Sequence, residues 1–239
     1  MAAAEEPAEK KASEDPSEAV KEAALPAKQA CPPVAEPSAA APQAEAPVPP
    51  VLKLQPGAVP PSLETFGWKP RDELSGDENG VDLVLLLARN SICRGGSMGC
   101  ALAQPDGTIV ACATNGPLYL SKSKRPASDV HAEVNAIGRC AREGMVTEGC
   151  VAYITMPPCK RCLTVLVASG VSRIVSRKPF LEQDAREALP ALQNLGIPYV
   201  IVNETEERRI FREGLVAKRK SEHQDSDGCE PPTSLQRRS

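Results

Sequence analysis

Histidine is almost missing from this chain: its 239 residues contain two, His131 and His223. Any imidazole chemistry has to pass through one of them. Also missing is an apolar run that could cross a bilayer as a helix, which takes ~20 residues. The best run, "VDLVLLLA" at 81–88, is far too short and excludes a helical membrane span. No stretch has the form of a signal peptide. The N-terminal segment is acidic with scattered lysines, unlike an Arg-rich transit peptide. A net charge of -3 selects neither for nor against nucleic acid, since a local patch can be basic on an acidic chain. There is no internal repeat. Nine cysteines, an odd number scattered through the chain, do not suggest a disulfide framework. They suit a reduced intracellular protein, cytoplasmic or nuclear.

Large apolar side chains are scarce at both ends. Residues 1–74 are dominated by Ala, Pro, Glu, Lys and Ser, and 218–239 are similarly polar. Such segments bury too little surface to offset their ordering entropy, so both are expected to be disordered. Residues 75–217 remain as one domain.

Within that domain the pattern alternates. A helix is expected over about 80–91. Two apolar runs, "SMGCALAQ" and "IVACATN", flank the turn signal "PDGT" and read as a β-hairpin. A helix follows from His131 to a stop at Gly144, then the buried strand "CVAYITM", then a helix from Pro158 to Gly170. "VSRIVSR" is a strand. "EQDAREALPALQNLG" is helical, with a break or kink expected near Leu189 before Pro190. "PYVIVN" is a strand and "ETEERRIFREGLVAK" a last amphipathic helix. Strands alternating with helices predict an α/β domain, helices on both faces of a mixed five-stranded sheet.

Two stretches of that domain carry chemistry. "HAEVNAI" at 131–137 supplies one imidazole and a carboxylate, and "PPCKRC" at 157–162 supplies two thiols. Zinc takes nitrogen and sulfur ligands tetrahedrally, and a catalytic zinc keeps three protein ligands with the fourth place open. His131, Cys159 and Cys162 make such a set, and His223 lies too far along the chain to complete it. All three sit at predicted helix starts, where the helix dipole favours anions and helps hold thiolates. Glu133, two residues from His131, can reach a water on the metal. It would take the proton from that water and pass it to a leaving amine.

The pattern His131-Ala132-Glu133 with Pro158-Cys159-Lys160-Arg161-Cys162 resembles the H-x-E…P-C-x-x-C signature of the zinc-dependent cytidine/deoxycytidylate deaminase superfamily. The resemblance covers about 80–205 and implies that family's three-layer α/β/α fold, here with disordered tails. Asn135-Ala136-Ile137 and Ser169-Gly170 look most like the CMP/dCMP-type branch. By resemblance, Asn115 in an Asn-Gly turn contacts substrate, with Ala132 and Pro158 beside it. The implied reaction is hydrolytic deamination of a cytosine-containing nucleotide or nucleoside, with Zn2+ as cofactor, Glu133 as the proton carrier, and uracil product and ammonia released. Relatives self-associate, so a homo-oligomer, or a hetero-oligomer with a related deaminase subunit, is implied. The segment from Gly116 to His131 is short beside that of many deoxycytidylate deaminases. That leaves two alternatives: a transfer-RNA adenosine-to-inosine deaminase, and a non-catalytic zinc-binding partner subunit of one.

Other features have plainer readings beside functional ones. Lys122, Lys124 and Arg125 are either a solvated loop or a contact to phosphate. "AKRK" at 217–220 is either a charged helix end or a basic signal. Trp68 is either a linker anchor or a partner contact. Cys100, Cys112, Cys140 and Cys150 are expected as buried small hydrophobes, with Cys93 more exposed.

Overall fold

A computed structural model describes residues 51–119 and 126–226, with side chains to 222. Lys122, Lys124, Arg125 and most of the two expected tails lie outside the described residues.

The chain order is β1 (Lys53–Leu54), α1 (Gly76–Ala88), β2 (Gly99–Ala103), β3 (Thr108–Thr114), α2 (Ala132–Glu143) and β4 (Val151–Ile154). It continues with α3 (Lys160–Ala168), β5 (Arg173–Ser176), α4 (Glu182–Asn194), β6 (Tyr199–Ile201) and α5 (Glu206–Ser226). The sheet runs β1-β3-β2-β4-β5-β6. β2 is antiparallel to β3 and to β4, and the other neighbours are parallel. The sheet is therefore mixed, as expected, but has six strands rather than five.

Alternation along the strands sorts side chains into two cores, as the pleat requires. Cys100, Leu102, Ala152, Ile154 and Ile174 face α2, α3 and α4. Ala101, Ala103, Val151, Tyr153 and Val175 face α1 and a residue of α5, Val216. Both faces are covered, so the strands read as nearly continuous apolar runs. One irregularity interrupts the hairpin. Leu102 pairs with Ala111 but Ala103 with Ile109, which leaves Val110 as the extra residue of a β-bulge.

Local signals set several ends. Ser75 caps α1 and exchanges hydrogen bonds with Glu78, a capping box that starts the helix earlier than the apolar pattern indicated. Gly144 ends α2 at φ 69°, a left-handed turn that costs glycine nothing. α4 runs through Pro190 to Asn194, so the expected break does not occur. Arg186 and Pro190 are both exposed, and the carbonyl that loses its partner there can be solvated.

The expected unstructured segment extends too far. Leu52, Ala58 and Trp68 are buried among α1 and the sheet, and Trp68 is an anchor for this N-terminal strap. Arg139 of α2 donates to the carbonyls of Gly57 and Ala58, and Cys112 N–H donates to Ala58 as well. At the other end, α5 carries "AKRK" inside the helix, where Arg219 pairs with Glu64 and Glu222. Among the described residues, no helix is long and apolar enough to cross a membrane.

Candidate active site

The first residue of β2 and the last residues of β3 and β4 meet at one end of the sheet: Gly99 pairs with Thr114, and Cys100 with Ile154. From that end the chain passes into α2 and α3. His131 is the N-cap of α2 and Cys159 the N-cap of α3, and neither makes a capping hydrogen bond. N-caps usually are Ser, Thr, Asp or Asn, whose side chains bond back to the helix. Here the two cap side chains turn toward each other instead.

His131 Nδ1 lies 3.3 Å from Cys162 Sγ and 3.6 Å from Cys159 Sγ. All three donor atoms fall within 4.8 Å of one another. Ligand bonds of ~2.0–2.3 Å give a tetrahedron edges of roughly 3.3–3.8 Å, so the spacing fits a zinc ion. Burial, then Glu133 and Cys159, push the Cys162 thiol well above its ordinary range, and a bound cation would reverse that by holding the sulfur as thiolate.

Glu133 is 7 % exposed. Burial pushes its carboxyl above the usual range, against the opposing pull of its own backbone N–H, His131 and the Cys162 thiol. No arginine or lysine among the described residues pairs with it. A carboxyl with a raised pKa is a stronger proton acceptor than an exposed one, which suits a general acid/base.

His131, Glu133 and Cys159 line a cavity of about 220 Å³ with Asn115, Ser128 and Thr155. Ligand pockets for larger molecules span roughly 300–1,000 Å³, so this one suits a single heterocycle, with the rest of a ligand outside. A larger groove of about 650 Å³ between α3 and α4 is walled by Leu163, Val167, Phe180 and Leu192, and His131, Cys159 and Cys162 do not line it.

The structure thus brings His131, Glu133, Cys159, Cys162 and Asn115 to one place. Ala132 and Pro158 do not line the cavity. The Ala132 side chain is 1 % exposed, packed in the core toward the sheet, and Pro158 borders the α3/α4 groove. The cavity also uses residues that the motifs did not single out: Gly95, Gly96, Met98, Ser128, Thr155 and Met156. The adjacent glycines in "RGGS" were the available signal for the first two. Cys100, Cys112, Cys140 and Cys150 are buried, and burial raises the thiols of Cys150 to about 11 and Cys112 to about 12. They are inert fillers, as expected, and Cys93 is half-buried.

The model of the "cytidine and deoxycytidylate deaminase zinc-binding region" matches residues 74–178. ComE operon protein 2 of Bacillus subtilis (strain 168) is 27% identical over 150 residues, which is 56% of this chain and 78% of that protein. The deoxycytidylate deaminase of Enterobacteria phage T2 is 34% identical over 73 residues, covering 28% of this chain and 39% of the phage protein. Among solved structures, the dCMP deaminase of cyanophage S-TIM5 in apo form is 22% identical, with a TM-score of 0.46, over 53% of this chain and 96% of that one. The matched span contains the histidine, the glutamate and the cysteine pair in the order of that deaminase zinc-binding region.

Proposed function

We propose that this protein is a zinc-dependent hydrolytic deaminase of a cytosine-containing nucleotide or nucleoside, dCMP or CMP in type. The observation that carries the reading is the convergence of His131, Cys159 and Cys162 beside a buried carboxyl, Glu133, that lines a base-sized cavity. The naming of phage relatives as deoxycytidylate deaminases supports the substrate class.

His131, Cys159 and Cys162 would hold the ion, and the two helix N-termini they cap favour its thiolate ligands. The ion's contribution is the Lewis acidity that makes water nucleophilic at neutral pH. The rest falls to the protein. The Glu133 carboxylate takes a proton from the attacking water and returns it to the exocyclic amine, which leaves as ammonia. The enclosing wall of Met98, Ile154 and Pro157 limits water around the ring, which strengthens these interactions.

The test is ammonia release by purified zinc-loaded protein offered dCMP, CMP, cytidine, deoxycytidine and an adenosine-containing transfer-RNA stem-loop. Release from a pyrimidine, absent in Glu133→Ala, is the expected result. Release from the stem-loop alone would replace this reading with RNA editing. Silence on every substrate with zinc bound would make the chain a non-catalytic subunit.

A further inference from the structure

Asn115, just beyond β3, is 4 % exposed yet borders the cavity. Its Oδ1 accepts the Met98 N–H at 2.9 Å, and its Nδ2 donates to the Gly96 carbonyl at 3.0 Å and to Ser128 Oγ at 2.8 Å. A backbone N–H can only donate and a carbonyl can only accept, so these partners leave no choice in the orientation of the amide. Both amide hydrogens are spent on the protein. Asn115 therefore keeps at most one acceptor lone pair for a ligand.

The consequence falls on Ser128. Facing an N–H donor, its oxygen must accept, and its own proton points away from Asn115. Among the described residues no acceptor takes that proton, while the side chain lines the cavity shared with His131 and Glu133. We propose that Ser128 donates a hydrogen bond to an acceptor oxygen of the bound nucleotide, a ring carbonyl or a sugar hydroxyl. Asn115 is then a positioning residue that sets the direction of that donor. The assignment rests on the deaminase reading for the identity of the ligand, but its geometry does not depend on turnover.

The test compares wild-type, Ser128→Ala, Ser128→Thr and Asn115→Asp proteins, all zinc-loaded, with melting temperatures as the control for folding. Two readouts are taken: kcat and KM for dCMP, and calorimetric binding of dUMP, which needs no chemistry. Ser128→Ala is expected to lose about five- to tenfold in kcat/KM and in dUMP affinity, the value of one neutral hydrogen bond. Ser128→Thr keeps the hydroxyl and should stay within about twofold of wild type. In Asn115→Asp a carboxylate oxygen replaces Nδ2 and draws the serine proton to itself. That variant should lose at least as much as Ser128→Ala, and adding Ser128→Ala to it should cost little more. Wild-type affinity in Ser128→Ala, equal damage in Ser128→Thr, or no binding of dUMP to wild type would each overturn the assignment. Binding of dUMP without ammonia release from any nucleotide would sink the deaminase reading instead, and the Ser128 contrast would still be read from affinity.

Discussion

The two faces of the sheet both bury charge, and they treat it differently. On the α1/α5 face, Asp82, Arg208 and Arg212 are almost fully buried. Arg208 Nη2 meets Asp82 Oδ1 at 2.8 Å and the Glu78 carbonyl at 2.9 Å, and its Nη1 meets the Asn203 carbonyl at 3.1 Å. Arg212 pairs with Asp82 and with Glu204. Every charge there is answered by another. On the α2/α3 face, Glu133 is nearly as buried and has a thiol and an imidazole for company, with no guanidinium or ammonium paired to it among the described residues. Buried charge alone does not mark a site, since native proteins pair most of what they bury. Buried charge left without a counter-ion does.

The largest expected effect breaks the contrast at its chemical end. Glu133→Gln should lower the rate of ammonia release by about 10²–10⁴-fold, the usual worth of a general acid/base. Its melting temperature should not fall, because a neutral amide escapes the desolvation that raises the carboxyl's pKa. A variant that loses stability along with activity would show Glu133 to be a structural partner instead.

Asp82→Ala should show the reverse. It leaves two buried guanidinium groups without their shared carboxylate, which typically costs about 3–5 kcal/mol. Urea unfolding should show the loss, while kcat per folded molecule stays near wild type. A fall in kcat without a fall in stability would refute the division between the faces.

Gly80→Ala sharpens the structural side. A β-carbon on this α1 glycine would run into the Tyr153 ring beneath it. Overpacking of that kind costs about 1–3 kcal/mol, and a lowered melting temperature is expected. An unchanged value would mean that Tyr153 can move aside.

The smallest effect concerns a charge pair that neither face buries. Lys160 and Glu187 meet at 2.7 Å but are 85% and 72% exposed. Glu187→Gln should leave the melting temperature unchanged within error, since exposed pairs contribute little. A clear drop would show that the α3/α4 contact depends on this pair.

Some of this was readable residue by residue. His131-x-Glu133 and Cys159-x-x-Cys162 are local spacings at helix starts, and local geometry carries them directly into the site. The β2–β3 hairpin followed from "PDGT", because turn residues act through their own backbone preferences. The N-terminal strap was not readable. Its apolar residues are few and far apart, and it is held by long-range partners: Arg139 for two carbonyls, Asn90 for the backbone of Glu64, and β3 for the two residues of β1. Composition averages over such a segment and misses single anchors like Trp68. Ser128 was missed for a related reason. A lone serine in a loop has no pattern, and its role arises only from Asn115, thirteen positions away.

The sequence by itself determined the alternation of strands and helices, the donor set for a metal and the carboxylate beside it. These depend on residue type and on spacings within one turn of helix, and they hold wherever the elements pack. Only the tertiary structure decided which cavity those groups serve, that a sixth strand closes the sheet edge, and that Asn115 spends its hydrogens on the wall. Those outcomes are set by hydrogen-bond valences filled across the chain, and a valence can be counted only when its partners are in place.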